Sequence, residues 1–292
     1  MSYFAKAIAI ITITTSLYHQ ASAGYFVDHQ VTVQDLNRPG CSPYAVKLHD
    51  GDMLNFASPS IVGKLIRFGS MFNSVANPDG ISHSGIVIIS TLFNIRGILT
   101  EVYQSLDFSQ DCGPQINAIE SMRACLGQCE SIGDTELIPF CFESDIVNED
   151  VERSQVAGAY VRIVPLDMII AQYEGNIYVR QLHNPVQHAA AIQFVRENIT
   201  KSYEGLSSIG EFIKSPMNLN RSENISRLFC SELAALFYRQ TMGLNIPNVS
   251  NIIPEEFGSK AGIHDLLSGY AGADILLKER FVYHDKLSCI LL

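Results

Sequence analysis

The sequence predicts an α+β protein, and three features carry that expectation. Runs rich in β-branched and aromatic residues, at 84–90, 97–105, 159–166 and 176–182, have strand character. Two stretches, 184–199 and 229–243, have helical character, the first opening on Asn184-Pro185 and the second ending on Gly243. Helices mixed with strands of antiparallel type place the chain in the α+β class.

The elements follow in chain order. Residues 24–50 open with the alternating YFVDHQVTVQDL and continue into NRPGCSPY, a strand and then a turn. Asp50-Gly51-Asp52 is a tight turn into a short strand. Apolar residues at 61, 62, 65, 66, 68, 71 and 72 are close to helical spacing, and Asn77-Pro78-Asp79-Gly80 ends that segment. The strand at 84–90 and the run at 97–105 are separated by TLFNIR, which reads as a β-hairpin. From about 106 to 158 periodicity is lost, and four cysteines, many acids and several glycines suggest an insertion between core elements. Strand character returns at 159–166 and 176–182 before the two helices. There is no internal repeat and no low-complexity tract.

Composition narrows the function classes. The 292 residues are 47% hydrophobic and 17% charged, with a net charge of −10 and a pI of about 5.2. No run of Lys or Arg occurs, so a nucleic-acid partner is excluded, because phosphate binding needs clustered cations. No motif calls for a cofactor. At the start, Lys6, the apolar stretch AIAIITITTSLY and Ala21-Ser22-Ala23 ahead of Gly24 have the layout of a secretory signal peptide over residues 1–23. No later stretch is long and apolar enough to cross a bilayer, so the expected mature chain, 24–292, is a soluble, secreted or periplasmic single domain.

Export changes how the seven cysteines read. Cys112, Cys125, Cys129 and Cys141 cluster, and in an oxidising compartment they suggest two disulfides with three possible pairings. A zinc site is the rival, although the flanking spacings do not match the paired CxxC pattern of zinc ribbons. Cys41, Cys230 and Cys289 remain, an odd number, so at least one thiol is unpaired.

Cys230 stands at the first turn of the predicted 231–242 helix. A helix N-terminus carries partial positive charge and unpaired N–H groups, which favour a thiolate. Glu232 in the same turn works slightly against it. A histidine partner would strengthen the thiolate and protonate a leaving group. His83, at the mouth of the 84–90 strand, is the candidate. Pairing about a hairpin centre near residues 92–94 sets His83 beside Glu101 on one face, where a carboxylate would orient the imidazole. A slip of one residue turns Glu101 to the other face.

These residues resemble a family. HDGDMLNF, then ISHSGIVI, an acid beyond it, and FCSELAALFY far downstream are similar to the permuted papain-like amidases of the YiiX/YaeF type. Those are relatives of NlpC-type cell-wall hydrolases and of lecithin:retinol acyltransferase. In that family a Gly-Asp turn leads into a strand, a Ser-His-x-Gly strand carries the histidine and a Cys-Ser-Glu helix carries the nucleophile. The resemblance implies a permuted papain-like (NlpC-like) fold, with an antiparallel sheet packed on the nucleophile helix. It maps Cys230 to the nucleophile, His83 to the base and Glu101 to the orienting acid. Ser202-Tyr203-Glu204 loosely matches a segment that precedes the cysteine helix, and IIPEEF (252–257) matches one after it. The resemblance covers about 47–104 and 159–260, and the cysteine-bearing segment departs from it. It implies a cysteine hydrolase acting on an amide or ester, with a peptide, acyl-amide or lipid-like substrate. An acyltransferase, or a non-catalytic effector using the insertion for protein contact, is the alternative.

The chain ends Cys289-Ile290-Leu291-Leu292, a C-a-a-X pattern for geranylgeranylation. It conflicts with a signal peptide unless the protein is delivered into another cell's cytosol and anchored there. The alternative is an apolar last strand with Cys289 buried or bonded to Cys41. Three Asn-x-Ser/Thr sequons, at Asn198, Asn224 and Asn248, fit chance occurrence in an Asn-rich chain.

Overall fold

The computed structural model describes residues 30–34, 45–59, 77–129, 133–146, 159–202, 223, 225, 226 and 228–278. Strands β1 (Gln30–Gln34) and β2 (Ala45–His49) form a two-stranded ribbon. The main sheet has six strands: β3 (Met53–Ala57), β4 (His83–Thr91), β5 (Leu137–Ile146), β6 (Ala159–Pro165), β7 (Asn176–Leu182) and β8 (Ala271–Lys278). Their order is β6-β5-β4-β3-β7-β8, antiparallel throughout, so the α+β class is observed as an open antiparallel sheet. Five α-helices accompany it among the described residues: α1 (Leu92–Gln104), α2 (Gly113–Gly127), α3 (Leu166–Gln172), α4 (His188–Asn198) and α5 (Cys230–Met242).

Strand β4 explains the layering. Its run Ile86-Val87-Ile88-Ile89 is fully buried, as expected of a central strand covered on both faces. Side chains alternate between the faces. Val87 and Ile89 join Leu54, Phe56, Ile177 and Val179 in a core closed by Leu48 of β2 and by Leu166 and Ile170 of α3. Ile86 and Ile88 join Phe140, Phe142 and Ile163 in the larger core, closed by α1, α2, α4 and α5. Leu233, Leu236, Phe237 and Tyr238 fix α5 on that second face. Each is almost fully buried, worth about 1.5–3 kcal/mol for an aliphatic or Phe side chain.

The Asp50-Gly51-Asp52 turn knits these layers. Asp50 accepts from the Ile89 N–H at 2.7 Å and lies 3.0 Å from His188 Nδ1 of α4. Asp52 accepts from the Leu182 N–H and the His49 N–H, each at 2.9 Å. Gly51 has φ +89°, and its carbonyl accepts from the Tyr238 hydroxyl of α5 at 2.8 Å. A Cβ there would stand 2.6 Å from Val186 Cγ2, so geometry and space both require glycine.

Two expectations are corrected. The run at 97–105 is not a hairpin strand but the second half of α1. Thr91 caps this helix by accepting the Asn94 N–H at 3.1 Å, and Leu92, Ile95, Ile98 and Leu99 bury one helical face. Gly97 sits mid-helix in open space. The segment 106–158, expected as an insertion between core elements, contributes to the core itself through its described residues. It holds α2 and β5, and β5 pairs with both β4 and β6 inside the sheet.

The expected stapling fails with it, since Cys112, Cys125, Cys129 and Cys141 are not joined in disulfides. Cys112 and Cys125 lie near opposite ends of the 15-residue α2, and 13 residues at 1.5 Å each separate them by about 20 Å. A disulfide allows only about 7 Å between Cα atoms. Cys141 is in β5. The 1–23 segment, Cys41, the expected 61–72 helix, Tyr203 and Glu204 of the loosely matched segment, Asn224 and the Cys289 terminus lie outside the described residues. Among the described residues no helix is long and apolar enough to cross a membrane.

Candidate active site

The site is assembled at the first residue of β4. Ser82 fastens the strand's entry, its Oγ accepting from the Ser58 N–H at 3.1 Å. His83 follows, opposite Phe56 of β3, with ring centroids 5.1 Å apart. Two residues on, Gly85 pairs with Glu143 of β5, and Glu143 pairs with Arg162 of β6. Strand alternation therefore puts His83, Glu143 and Arg162 on one face, with Glu143 diagonal to the histidine and within reach of a long side chain.

The contacts close that reach. His83 Nε2 and Glu143 Oε2 are 2.8 Å apart. Arg162 donates to the other carboxylate oxygen, Oε1, through Nε at 3.0 Å and Nη2 at 2.7 Å. Glu143 is 2% exposed and Arg162 8%, so this is a buried charge held by partners on both oxygens. Gly85 leaves the hollow in which the group meets. A Cβ at that position would stand 2.7 Å from Cys141 Sγ and 3.5 Å from Glu143 Cβ. The Ser-His-Ser-Gly spacing thus has a steric reason.

Cys230 completes the arrangement. It is the first residue of α5 and 6% exposed. The chain entering it is pinned where Ser144 Oγ of β5 donates to the Leu228 carbonyl at 2.6 Å. On its other side Ser231 Oγ donates to the Ile252 carbonyl at 2.7 Å. Glu232 turns back to accept the Phe229 N–H at 2.9 Å, so its carboxylate caps the helix. The body of α5 packs on the sheet face opposite Glu143, yet His83 begins its strand and is reached at the sheet's margin. There Cys230 stands close enough to the His83 imidazole for its charge to act on the ring.

Electrostatics follow from this chain of groups. Burial alone lowers the His83 pKa. The Cys230 charge, together with Glu143, outweighs it and holds the imidazole well above its usual value. Burial alone raises the Glu143 pKa. Arg162 and His83 outweigh it and keep this carboxyl below the usual range, ionised at neutral pH. The arrangement can hold a proton on His83 beside a sulfur at a helix N-terminus. Among the described residues no three His, Cys, Asp or Glu side chains converge to hold a metal.

Of the expected site residues, Cys230 and His83 are brought together. Glu101 is not. It lies on α1, its side chain 61% exposed and ion-paired with Arg196 of α4 at 3.2 Å. A cross-strand register cannot act through a segment that is helical. The carboxylate beside His83 is Glu143. The alternating run Phe140-Cys141-Phe142-Glu143 was its available signal, as Arg162 inside AYVRIVP signalled a buried cation needing an acid.

No family model matches the chain, and no curated protein does. Among solved structures, a crystal structure titled metalloprotein YiiX from Escherichia coli O157:H7 is similar, with 16% identity and a TM-score of 0.36. The match covers 80% of this chain and 98% of that one. A likeness of this degree says nothing about the chemistry, which follows from the residues themselves.

Proposed function

We propose that the protein is a cysteine-dependent hydrolase that cleaves an amide or ester bond through an acyl-enzyme on Cys230. The observation that carries the reading is the continuous chain Cys230–His83–Glu143–Arg162, with its sulfur at the first turn of α5. Glu143 takes the orienting role first expected of Glu101.

In the reaction the Cys230 thiolate adds to the substrate carbonyl. Oxygen gains the negative charge, and N–H groups of the first α5 turn, which have no intrahelical acceptor, are the natural donors to it. The tetrahedral species collapses as the carbon–nitrogen or carbon–oxygen bond breaks. His83 gives its proton to the leaving atom. Neutral His83 then takes a proton from water, whose oxygen attacks the thioester. Collapse of that second adduct releases the acid and returns the thiolate–imidazolium pair. Glu143 fixes the ring orientation, stabilises the imidazolium and stays ionised because Arg162 holds its second oxygen. An alcohol or amine in place of water makes the same enzyme an acyltransferase.

The test is to incubate the protein with a p-nitrophenyl ester and read intact mass. An acyl adduct on Cys230, absent in Cys230→Ala, is expected. His83→Ala should lower acylation by about 10²–10⁴, the range for a general acid–base group. A label on other residues, or an equal rate without the imidazole, would exclude the mechanism. Export by residues 1–23 belongs to the same reading, and N-terminal sequencing of secreted chain starting at Gly24 checks it. A mass shift on the C-terminal peptide, made in eukaryotic cells, checks Cys289 prenylation.

A further inference from the structure

Three sulfurs converge at the C-terminal end of α2, in a place the acyl-transfer chemistry does not use. Cys125 is on the helix and Cys129 two residues beyond its end, where the Cys129 N–H donates to the Leu126 carbonyl at 3.3 Å and its thiol lies 4.0 Å from the Cys125 carbonyl. Met168, near the start of α3, lies over both. Its Sδ is 3.4 Å from Cys125 Sγ and 3.9 Å from Cys129 Sγ. The cysteines are 4% and 7% exposed, and Met168 is half-buried against Cys125 and Val164. The zinc reading required four cysteines, and the structure denies it, because Cys112 is at the far end of α2 and Cys141 lies beside Glu143.

The geometry points to a three-sulfur site for a single cuprous ion, ligated by the Cys125 and Cys129 thiolates and the Met168 thioether. Thioether and thiolate are soft donors, and together they select Cu(I) over hard or borderline divalent ions. Metal–sulfur bonds of about 2.3 Å, the length known for zinc thiolates, put the sulfurs of a trigonal plane about 4 Å apart. The distances of Met168 Sδ to the two thiols, 3.4 and 3.9 Å, are close to that before any ligand moves. Charge is balanced locally: the ion displaces one proton from each thiol to solvent, leaving a site of charge −1. Arg162, acting on Cys125, and Arg96, acting on Cys129, are positive, while Asp167 acts on Cys129 as a negative neighbour. Each thiol gives up its proton when it binds the ion, so binding tightens as pH rises. This inference stands independently of the acyl-transfer reading.

The experiment titrates the full chain, under reductant and without oxygen, into the cuprous bicinchoninate complex. Loss of that complex's colour reports transfer. The first equivalent of Cu(I) should move to the protein, more completely at pH 8 than at pH 6. The Cys125→Ser/Cys129→Ser double variant should withdraw none at the same competitor strength. Met168→Leu keeps size and apolarity, so its fold is retained, and its affinity should fall at least about tenfold, the loss that even an outer-shell partner carries. Cys112→Ser should compete like the parent. X-ray absorption of the loaded protein should show a sulfur-only shell that loses one scatterer in Met168→Leu. A parent chain that fails to compete overturns the inference, as does a double variant that binds as tightly or a Met168→Leu variant with unchanged affinity and shell.

Discussion

Glu143 decides how the site behaves at the scale of single residues. It is buried and shares its two oxygens between a cation and an imidazole. Glu143→Gln keeps the shape and removes the charge, leaving Arg162 buried without its counter-ion. Stability should drop by about 3–5 kcal/mol, the loss typical when one partner of a buried pair is removed. Chemical denaturation measures this. Because Glu143 is one of the groups that hold the proton on His83, the alkaline limb of Cys230 acylation should move to lower pH in the variant. A limb left in place would mean that Glu143 does not act on the ring. Gly85 offers an orthogonal check. Gly85→Ala puts a methyl group 2.7 Å from Cys141 Sγ and should cost about 1–3 kcal/mol by overpacking. Adding Cys141→Ala removes that sulfur, so the double variant should be more stable than Gly85→Ala alone.

Element by element, the sequence was most legible where a pattern is local. The end of α5 at Gly243, the turn at Asp50-Gly51-Asp52 and strands β4, β6 and β7 appear close to where composition and spacing put them. It misled at α1, because Thr91 looks like a strand residue and Gly97 like a turn, while the helical face of Leu92, Ile95, Ile98 and Leu99 starts before the glycine. It misled again at β5, whose strand pattern lies among cysteines and acids that read as an insertion between core elements. Two glycine substitutions separate these roles by sign. Gly97→Ala, mid-helix with open space around the new methyl, should stabilise by about 0.5–1 kcal/mol. Gly243→Ala also meets no atom, but φ +69° is unfavourable for alanine, so it should destabilise by about 1 kcal/mol. Thermal or denaturant midpoints of the two variants moving the same way would contradict the assignment of α1 or of the α5 cap.

For the whole molecule, the buried groups set a pH window. The folded-state pKa of His83 is raised, so its stabilisation is complete below its ordinary 6.5 and is lost as pH rises through the raised value. That of Glu143 is lowered, so its stabilisation is present above its ordinary 4.5 and is lost as pH falls through the depressed value. Glu256 opposes it. Burial raises this carboxyl to about 7 although it accepts the Ile253 N–H, so its favourable contribution exists below 4.5 and is lost between there and about 7. Glu256→Gln should therefore flatten the decline of stability from pH 4.5 to 7, read from denaturant midpoints across that range, and an unchanged slope would refute it. By itself the sequence determined that this is an α+β chain with a cysteine opening a helix and a histidine opening a strand, because caps, turns and apolar runs act over a few residues. Only the tertiary structure decided which acid serves that histidine, which arginine holds the acid, and that the clustered cysteines part company. Those outcomes depend on strand neighbours and register, which bring together residues from β4, β5, β6 and α5 that no local spacing connects.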